Sequence, residues 1–579
     1  MRRLTSVEQK DTIPPYGKLL ETVKERAGGR LLGQTAGGYN NPAQHPRATG
    51  TKTVPVSEAY AEDDDMWDSK YLDELEQKRQ KAKAGGGEER KKVQHGKGKL
   101  TVWERIDYLF DPGSFQEVGS LVESRFMDFG MDKKKLPGDG VVTGFGTIHG
   151  VPVYVAAEDF TVMGGTYGEY HSKKIVRIMD MAFQSKAPFI TINDSGGARM
   201  EEGISGLDGY GDMFLRHTRA SGKIPQIAVI MGPCAGGACY GPALCDYVFM
   251  VEKTSQMFLT GPAVVKTVVG EDVTTEELGG AEAHSAKSGV AHFRYPNEHE
   301  CLDGVKKLLS YLPKNCKERP ARVIGKARDN SDRLQEIVTD KQRRGYDIHR
   351  VIDTFVDEGS FFEVHKDFGR SIVLGYARLD SEVIGIVASN PMHLGGSLDI
   401  DSGEKAARFV RCCDCYGIPL LTIIDVPGFM PGSKMEHGGI IRRGAKLLYA
   451  YCEASVPKVS LILRKAYGGA YIAMNSKGMG ADIVYAWPIA QIAVMGAEGA
   501  VDIMYKHDLE SMADKEAVRA EKAAEYNDKF MSPYIAAKLG IIDEVIRPDE
   551  TRRKIRAAFE SLSSKERSEL SYAHGNIPL

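Results

Sequence analysis

Two glycine pairs mark the places where this sequence is best equipped for chemistry. Gly236-Gly237-Ala238 follows the β-branched run at 227–231, and Gly468-Gly469-Ala470 follows the run at 459–463. In each place an apolar strand gives way to glycine and then to residues able to start a helix, leaving backbone N–H groups without helical acceptors. Such donors stabilise an anion or a developing oxyanion without any charged side chain, and glycine lets the ligand approach the backbone closely. One glycine pair alone is explained as an easy strand-to-helix turn. The same construction in two places makes that explanation insufficient.

A third candidate is the run Asp194-Ser195-Gly196-Gly197-Ala198-Arg199, which follows the apolar segment PFITIN. Ligands of α/β folds bind at the carboxyl ends of strands, where this run falls. An Asx-type turn capping a helix is the simpler expectation for Asp194, and it would present the same N–H groups. Arg199, Arg442, Arg443 and Lys446 are candidates to neutralise phosphates, although each alone reads as a solvated surface cation. Other chemistries find no support. There is no GxxxxGK[ST] phosphate loop, GFGTIHG has the wrong spacing for a dinucleotide site and reads as a hairpin, and no GxSxG elbow occurs. Ser195 has no histidine locally coupled to it, which argues against a nucleophilic hydrolase.

The elements that position these residues are read from an internal repeat. Gly164-Gly165 matches Gly395-Gly396 (395 − 164 = 231), Gly144 matches Gly375 (375 − 144 = 231) and Asp194 matches Asp425 (425 − 194 = 231). IPQIAVIMGPCAGGACY matches VPKVSLILRKAYGGAYI, with Gly236 to Gly468 giving 468 − 236 = 232. Upstream, DPGSFQEV at 111–118 matches DEGSFFEV at 357–364 with an offset of 357 − 111 = 246, so the first copy carries about 15 extra residues around SRFMDFGMDKKKLPGDG. Two copies of one α/β unit follow, with alternating short strands and longer helices. A cleft between equivalent halves offers two related sites, one for each of two reactants.

Length and composition agree. The 579 residues supply ample core, and 76 Lys+Arg against 79 Asp+Glu leave a formal charge of −3, so no bulk charge argues for nucleic acid or an anionic membrane. No apolar run approaches the roughly 18 residues of a membrane span, and the start MRRLTSVEQKD lacks a signal-peptide core, so a soluble, cytoplasmic protein is expected. The nine Cys include no paired CxxC knuckles, and Cys412, Cys413 and Cys415 read as buried small apolar residues. The first 65 residues are poor in large apolar side chains and read as an arm lying on the main body; residues 66–84 read as a helix, and a basic, mobile stretch is expected from there to Lys99.

From about Gly85 to the end the chain resembles the biotin-dependent acyl-CoA carboxyltransferases, most closely the β subunits of propionyl-CoA carboxylases. The stretches that carry the resemblance are GKLTVWERIDYLFDPGSF, DFTVMGGTYGE, INDSGGARMEEG, GPCAGGACYGPA, FLTGPAVVKTVVGEDVTTEELGGAEAHSAKSGVAHF, IDVPGFMPGSKMEHGGIIRRGAKLLYAY, KAYGGAYIAMNSKGMGAD and AWPIAQIAVMGAEGA. It implies an α/β chain of two tandem crotonase-type (ClpP/crotonase-like) spiral domains with an N-terminal arm. The expected divisions are an arm and helix at 1–84, an acyl-CoA-binding carboxyltransferase domain at 85–340 and a biotin-binding one at 341–579.

By position in the family motifs, Gly236, Gly237 and Ala238 are expected to hold the thioester oxygen, and Gly468, Gly469 and Ala470 the biotin ureido oxygen. Substrate contacts are expected from Gly164, Gly165, Ser195, Gly196, Gly197, Ala198, Arg199, Gly395, Gly396, Pro427, Gly428, Phe429 and Ile472, with no metal. Ile472 stands directly after GGAY, where propionyl-preferring members of the resembling family usually carry Asp. The sequence lacks the Met-Lys-Met biotinylation site and an ATP-grasp region, so biotin on a separate carrier, an acyl-CoA substrate, partner biotin carboxylase and carrier subunits, and a homohexamer are implied; nucleic acid is not. The same residues serve the reverse transfer in α subunits of biotin-dependent decarboxylases, where the partner is a membrane complex. A free-standing hydratase or isomerase would need an acid/base carboxylate in each domain, and none is marked. A non-enzymatic scaffold would leave both glycine turns unexplained.

Overall fold

The computed structural model describes residues 68–134, 136–507 and 514–566. The expected arm at 1–65 lies outside the described residues. A helix runs Ser69–Ala84, capped by the Asp68 carboxylate accepting from the Lys70 N–H, and ends at Gly85 with φ 58°. Beyond it the structure corrects the expected basic, mobile stretch. Residues Glu88–Gly96 form a helix whose first turn holds Glu88 and Glu89, the charge that a helix N-terminus favours. The next helix, Val102–Leu109, starts at a reciprocal Thr101/Glu104 cap and buries Val102, Arg105, Ile106 and Leu109.

Each half then builds one eight-stranded sheet. The first contains β1 (Gln116–Glu117), β2 (Val141–Ile148), β3 (Val151–Glu158), β4 (Phe189–Ser195), β5 (Gln226–Ala235), β6 (Tyr247–Val251), β7 (Gln256–Phe258) and β8 (Phe293–Tyr295). The second contains β9 (Phe362–Val364), β10 (Ile372–Leu379), β11 (Glu382–Ser389), β12 (Leu420–Val426), β13 (Lys458–Tyr467), β14 (Ile483–Ala486), β15 (Gln491–Ala493) and β16 (Glu544–Val545). The orders are β1-β2-β3-β4-β5-β6-β8 with β7 on β5, and β9-β10-β11-β12-β13-β14-β16 with β15 on β13. The two topologies coincide strand for strand, as the repeat requires. Antiparallel hairpins β2–β3 and β10–β11 open each sheet, and parallel pairing follows. The segment GFGTIHG is indeed a hairpin, turning at His149 and Gly150, both with positive φ.

Central parallel strands are covered on both faces, which explains why FITINDS and LLTIIDV are buried throughout. Helices Glu169–Ser185 and Ile204–Ala220 cross over between strands of the first sheet, and Ile400–Cys415 and Ile440–Glu453 do so in the second. Each fully buried Val, Ile or Leu of these sheets contributes about 1.5–3 kcal/mol through area removed from water. The shared glycine in VTGFG and VLGYA has a steric reason. A Cβ at Gly144 would lie 2.3 Å from Gln116 O, and one at Gly375 would lie 2.3 Å from Phe362 O, so the short edge strands β1 and β9 can pair only across glycine.

The halves meet through one continuous core. Phe293 stacks on Phe362 with centroids 5.0 Å apart, His292 stacks on His365 at 4.1 Å, and the Tyr247 hydroxyl bonds that of Tyr376. Cys413 is buried, while Cys412 and Cys415 are half-buried, and the Cys412 sulfur bonds the Tyr247 hydroxyl at 3.2 Å. Leu334 and Val338 pack into the second half with Ile348, Trp487 and Ile555, a few residues before the division expected at 341.

Candidate active site: two glycine turns and the carboxylates beneath them

The two glycine turns occupy equivalent places at the ends of β5 and β13. Gly236 has φ 63° and Gly468 φ 57°, a left-handed conformation that other residues adopt at a cost. Each turn leads into short helical residues, 236–239 and 468–473. The first N–H groups of such a turn have no acceptor within it. Ala238 and Ala470 are buried and anchor the turns, whereas Gly469 is exposed and a Cβ there would meet nothing within 4 Å. Gly237 instead rests on the Tyr210 ring, 3.3 Å from an ideal Cβ. The Cys239 thiol donates to the Gly236 carbonyl at 3.0 Å and holds that oxygen to the turn.

A second pair of loops passes over the strand ends beside the turns. Gly165 and Gly396 sit where a Cβ would lie 2.3 Å from Asp194 O and 2.5 Å from Asp425 O, so the loops carrying Gly164-Gly165 and Gly395-Gly396 cross backbone at contact distance. In the first half Gly196 N–H donates to Gly164 O, and Gly197 N–H donates to the buried Ser195 Oγ at 3.1 Å. Tyr167 N–H donates to Gly197 O and Arg199 N–H to Tyr167 O, which leaves Ala198 exposed between them. The second half repeats the pattern: Leu398 N–H donates to Gly428 O and Met430 N–H to Leu398 O, with Pro427 half-buried and the Phe429 ring packed on Gly444.

Three expectations are corrected here. Arg199 neither reaches for phosphate nor lies on the surface. It is 1% exposed and its guanidinium bonds Asp139 and Glu202, each at 2.7 Å. Arg443 and Lys446 are engaged by Glu404 at 3.1 and 2.8 Å. Asp194 caps no helix; it stands next to last in β4 and is fully buried.

The carboxylates at these strand ends form the electrostatic floor of both sites. Asp194 accepts from Lys99 Nζ at 2.7 Å, Arg105 Nη1 at 3.0 Å and Gln94 Nε2 at 3.3 Å. Arg105 also makes two 2.8 Å bonds to Glu298 and one to Met231 O. Burial holds the Lys99 ammonium below its ordinary pKa, against the pull of Asp194. In the second half Asp425 accepts from Arg464 Nε at 3.0 Å and Nη2 at 2.9 Å, from Tyr346 OH at 3.0 Å and from Lys465 N–H at 3.1 Å. Sequence reasoning missed these networks. Their one signal was Asp194 and Asp425 standing in a single register.

Directly after each turn an exposed side chain reaches outward: Tyr240, 49% exposed, in the first half and Ile472, 43% exposed, in the second.

The carboxyl transferase domain model matches residues 93–577. The carboxyltransferase subunit of a propionyl-CoA carboxylase from Haloferax mediterranei is 53% identical over 510 residues, covering 88% of this chain and 99% of that one. The methylmalonyl-CoA decarboxylase subunit alpha of Propionigenium modestum is 49% identical over 514 residues, covering 88% and 99%. Among solved structures, transcarboxylase 12S with methylmalonyl-coenzyme A and methylmalonic acid bound superposes with a TM-score of 0.85 at 49% identity, covering 88% of this chain and 98% of that one. A duplicated sheet with a glycine turn in each half and likeness along nearly the whole body agree, and the chain belongs to the carboxyl transferase family, among the biotin-dependent acyl-CoA carboxyltransferases.

Proposed function

We propose that this chain moves a carboxyl group between carboxybiotin and the α-carbon of a short acyl-CoA, with propionyl-CoA and methylmalonyl-CoA as the pair. The observation that carries this reading is the recurrence of one glycine turn at equivalent strand ends of both halves, each opening a short helical segment whose first N–H groups have no acceptor within it. In this reading Gly236, Gly237 and Ala238 hold the thioester oxygen as negative charge builds on it, and Gly468, Gly469 and Ala470 hold the ureido oxygen. The second turn leaves room for a ligand, since a Cβ at Gly469 would meet nothing within 4 Å, and the buried Tyr471 hydroxyl has no hydrogen-bond partner. Carboxybiotin held at Gly468 to Ala470 would supply the carboxyl group and an acceptor for the α-proton. The chain's own part is to orient both oxygens and to supply preorganised donors. Gly164, Gly165, Ser195 to Ala198, Gly395, Gly396 and Pro427 to Phe429 shape the walls through their backbone. Arg199 acts only by bracing them through Asp139 and Glu202.

A homohexamer with partner biotin carboxylase and carrier subunits completes the proposal; hexamer assembly is described for transcarboxylase 12S. No helix among the described residues is long and apolar enough to cross a membrane. The decarboxylase direction remains the second reading, favoured by the Propionigenium modestum relative. The test is transfer by the purified chain from methylmalonyl-CoA to free biotin. Formation of propionyl-CoA only when biotin is present is the expected result. Failure to form it, or biotin-independent hydrolysis alone, would overturn the reading.

A further inference from the structure

Beneath the first glycine turn lies a polar cluster that the second half lacks. Glu158, the last residue of β3, is 2% exposed, and its Oε2 accepts the Asp194 N–H at 2.6 Å. The Tyr167 hydroxyl bonds the same carboxyl, and Asn193 Nδ2 lies 3.5 Å from its Oε1. Tyr167 stacks on Tyr210 with centroids 4.5 Å apart, and Tyr210 is the ring directly under Gly237. The Tyr210 hydroxyl is buried and has no hydrogen-bond partner. A small cavity lined by Glu158, Tyr167, Asn193, His217 and Ala238 connects the carboxyl to the turn. At the matching places, 231 residues on, stand Ser389, Ile424 and Leu398, so none of this is required by the fold alone.

The groups facing Glu158 are Tyr167, Asp194 from β4, Tyr210 and His217 from the helix Ile204–Ala220, Cys234 from β5 and the adjacent Asp159. The cations of the region, Lys99 and Arg105, bond the Asp194 carboxylate. Burial therefore dominates, and with the Asp194 charge adding to it, pushes the Glu158 pKa up to about 8.

We propose that Glu158 is a positioning residue of the acyl half: as a neutral acid it holds Asp194 and the Tyr167–Tyr210 stack that support the turn at 236–238, and its ionisation impairs that turn. The inference rests on the reading that this turn holds the thioester oxygen. A second buried negative charge beside Asp194 opposes an oxyanion developing just above it. Glutamine reproduces the neutral form, since its oxygen accepts from Asp194 N–H and its amide donates toward Tyr167.

The test measures kcat and KM for methylmalonyl-CoA to biotin transfer across the alkaline range in wild type, Glu158→Gln, Glu158→Ala and Gly237→Pro. In wild type kcat is expected to fall with a midpoint near 8 while KM for the CoA ester holds. Glu158→Gln keeps neutral-pH turnover and loses that limb, whereas Glu158→Ala loses turnover on the order of tenfold through misplacement of the turn. An unchanged alkaline limb in Glu158→Gln, with Gly237→Pro inactive, would overturn the role of Glu158 alone. Normal turnover by Gly237→Pro would overturn the oxyanion reading, and with it the premise of the inference. The Glu158→Gln comparison decides the matter even where Glu158→Ala does not fold.

Discussion

The two halves hold the same carboxylate in the same place by different means. Asp194 is neutralised from outside its sheet, by Lys99 and Arg105 from the segment that precedes the first strand. Asp425 is neutralised from within, by Arg464 on the neighbouring strand β13. The position matching Arg464 is Gly232 (464 − 232 = 232), and there a Cβ would lie 1.9 Å from Asp194 Oδ1 and 2.7 Å from Lys99 Nζ. Duplication has thus preserved a geometry while its supports changed. The first half has redundant cations, and the second relies on one guanidinium braced by the carbonyls of Lys341 and Arg344 and by the Tyr346 ring.

That difference has a measurable consequence. Arg464→Met leaves a carboxylate, 2% exposed, with one hydroxyl and one N–H for company. Breaking a buried pair in this way is expected to destabilise the protein by about 3–5 kcal/mol. Lys99→Met leaves Asp194 with Arg105 and Gln94, so the loss is that of one charged hydrogen bond, about 1.5–3 kcal/mol. Denaturant unfolding of the two variants checks this. Equal losses would mean that the first half has no redundancy.

The turns themselves break the comparison in catalysis. Proline at Gly237 or Gly469 deletes one N–H donor, and loss of an oxyanion donor costs turnover on the order of 10² to 10³. Alanine separates donor from space. Gly469→Ala meets no protein atom within 4 Å, so it is expected to fold normally and to raise KM for biotin by crowding the open side of the turn, whereas Gly237→Ala presses on the Tyr210 ring at 3.3 Å and is expected to lower kcat. Steady-state kinetics on assembled protein decide it, and a fully active Gly469→Pro would displace the biotin turn.

Which of these features the sequence disclosed follows from their range. Most of the glycines recurring at 231 or 232 residues are visible because they answer a local steric demand, as Gly144 and Gly375 do beneath their edge strands. Ion pairs are invisible for the opposite reason. Lys99 meets Asp194 across 95 residues and Arg105 meets Glu298 across 193, and nothing local marks either partner. Arg199 looked like a surface cation because one partner, Asp139, is 60 residues away and the other, Glu202 three residues on, is buried only by the folding of the loop around them. The helix Glu88–Gly96 was hidden by its basic composition, which disguised the turn that carries Gln94 to Asp194.

A matched pair of buried lysines gives the comparison a pH dependence. Lys174 and Lys405 occupy one register (405 − 174 = 231), and each donates to two backbone carbonyls, those of Gly138 and Val141 or of His365 and Phe368. Burial lowers the pKa of Lys174 to about 8 and that of Lys405 to about 7, from 10.5. Between the lowered value and 10.5 the unfolded chain binds more protons than the folded one, so each lysine makes stability rise with pH across that window. The window is wider for Lys405. Stability of wild type relative to Lys405→Met is therefore expected to improve from pH 7 to 10, and relative to Lys174→Met only above about 8. Thermal unfolding at several pH values checks the ordering, and flat difference curves would show that both lysines keep their ordinary protonation.

The smallest effect concerns acyl choice, where the halves offer Tyr240 and Ile472 at matching positions (472 − 240 = 232). Neither glycine turn can select an acyl chain, because backbone donors meet only the oxygens. Selection requires a side chain just beyond, and both residues are nearly half exposed in the isolated chain. Ile472 offers apolar contact without a buried charge, and each methylene removed from water is worth only about 0.8 kcal/mol, so neighbouring chain lengths should differ by about fourfold or less. Activity on propionyl-CoA with appreciable turnover of acetyl- and butyryl-CoA is expected. Ile472→Asp replaces that apolar contact by a carboxylate and is expected to change the kcat/KM ratios among the three esters, whereas Tyr240→Ala should move all three kcat/KM values together. If Ile472→Asp leaves the three ratios unchanged while Tyr240→Ala alters them, the selecting surface belongs to the first turn, and the assignment of acyl discrimination to the second is wrong.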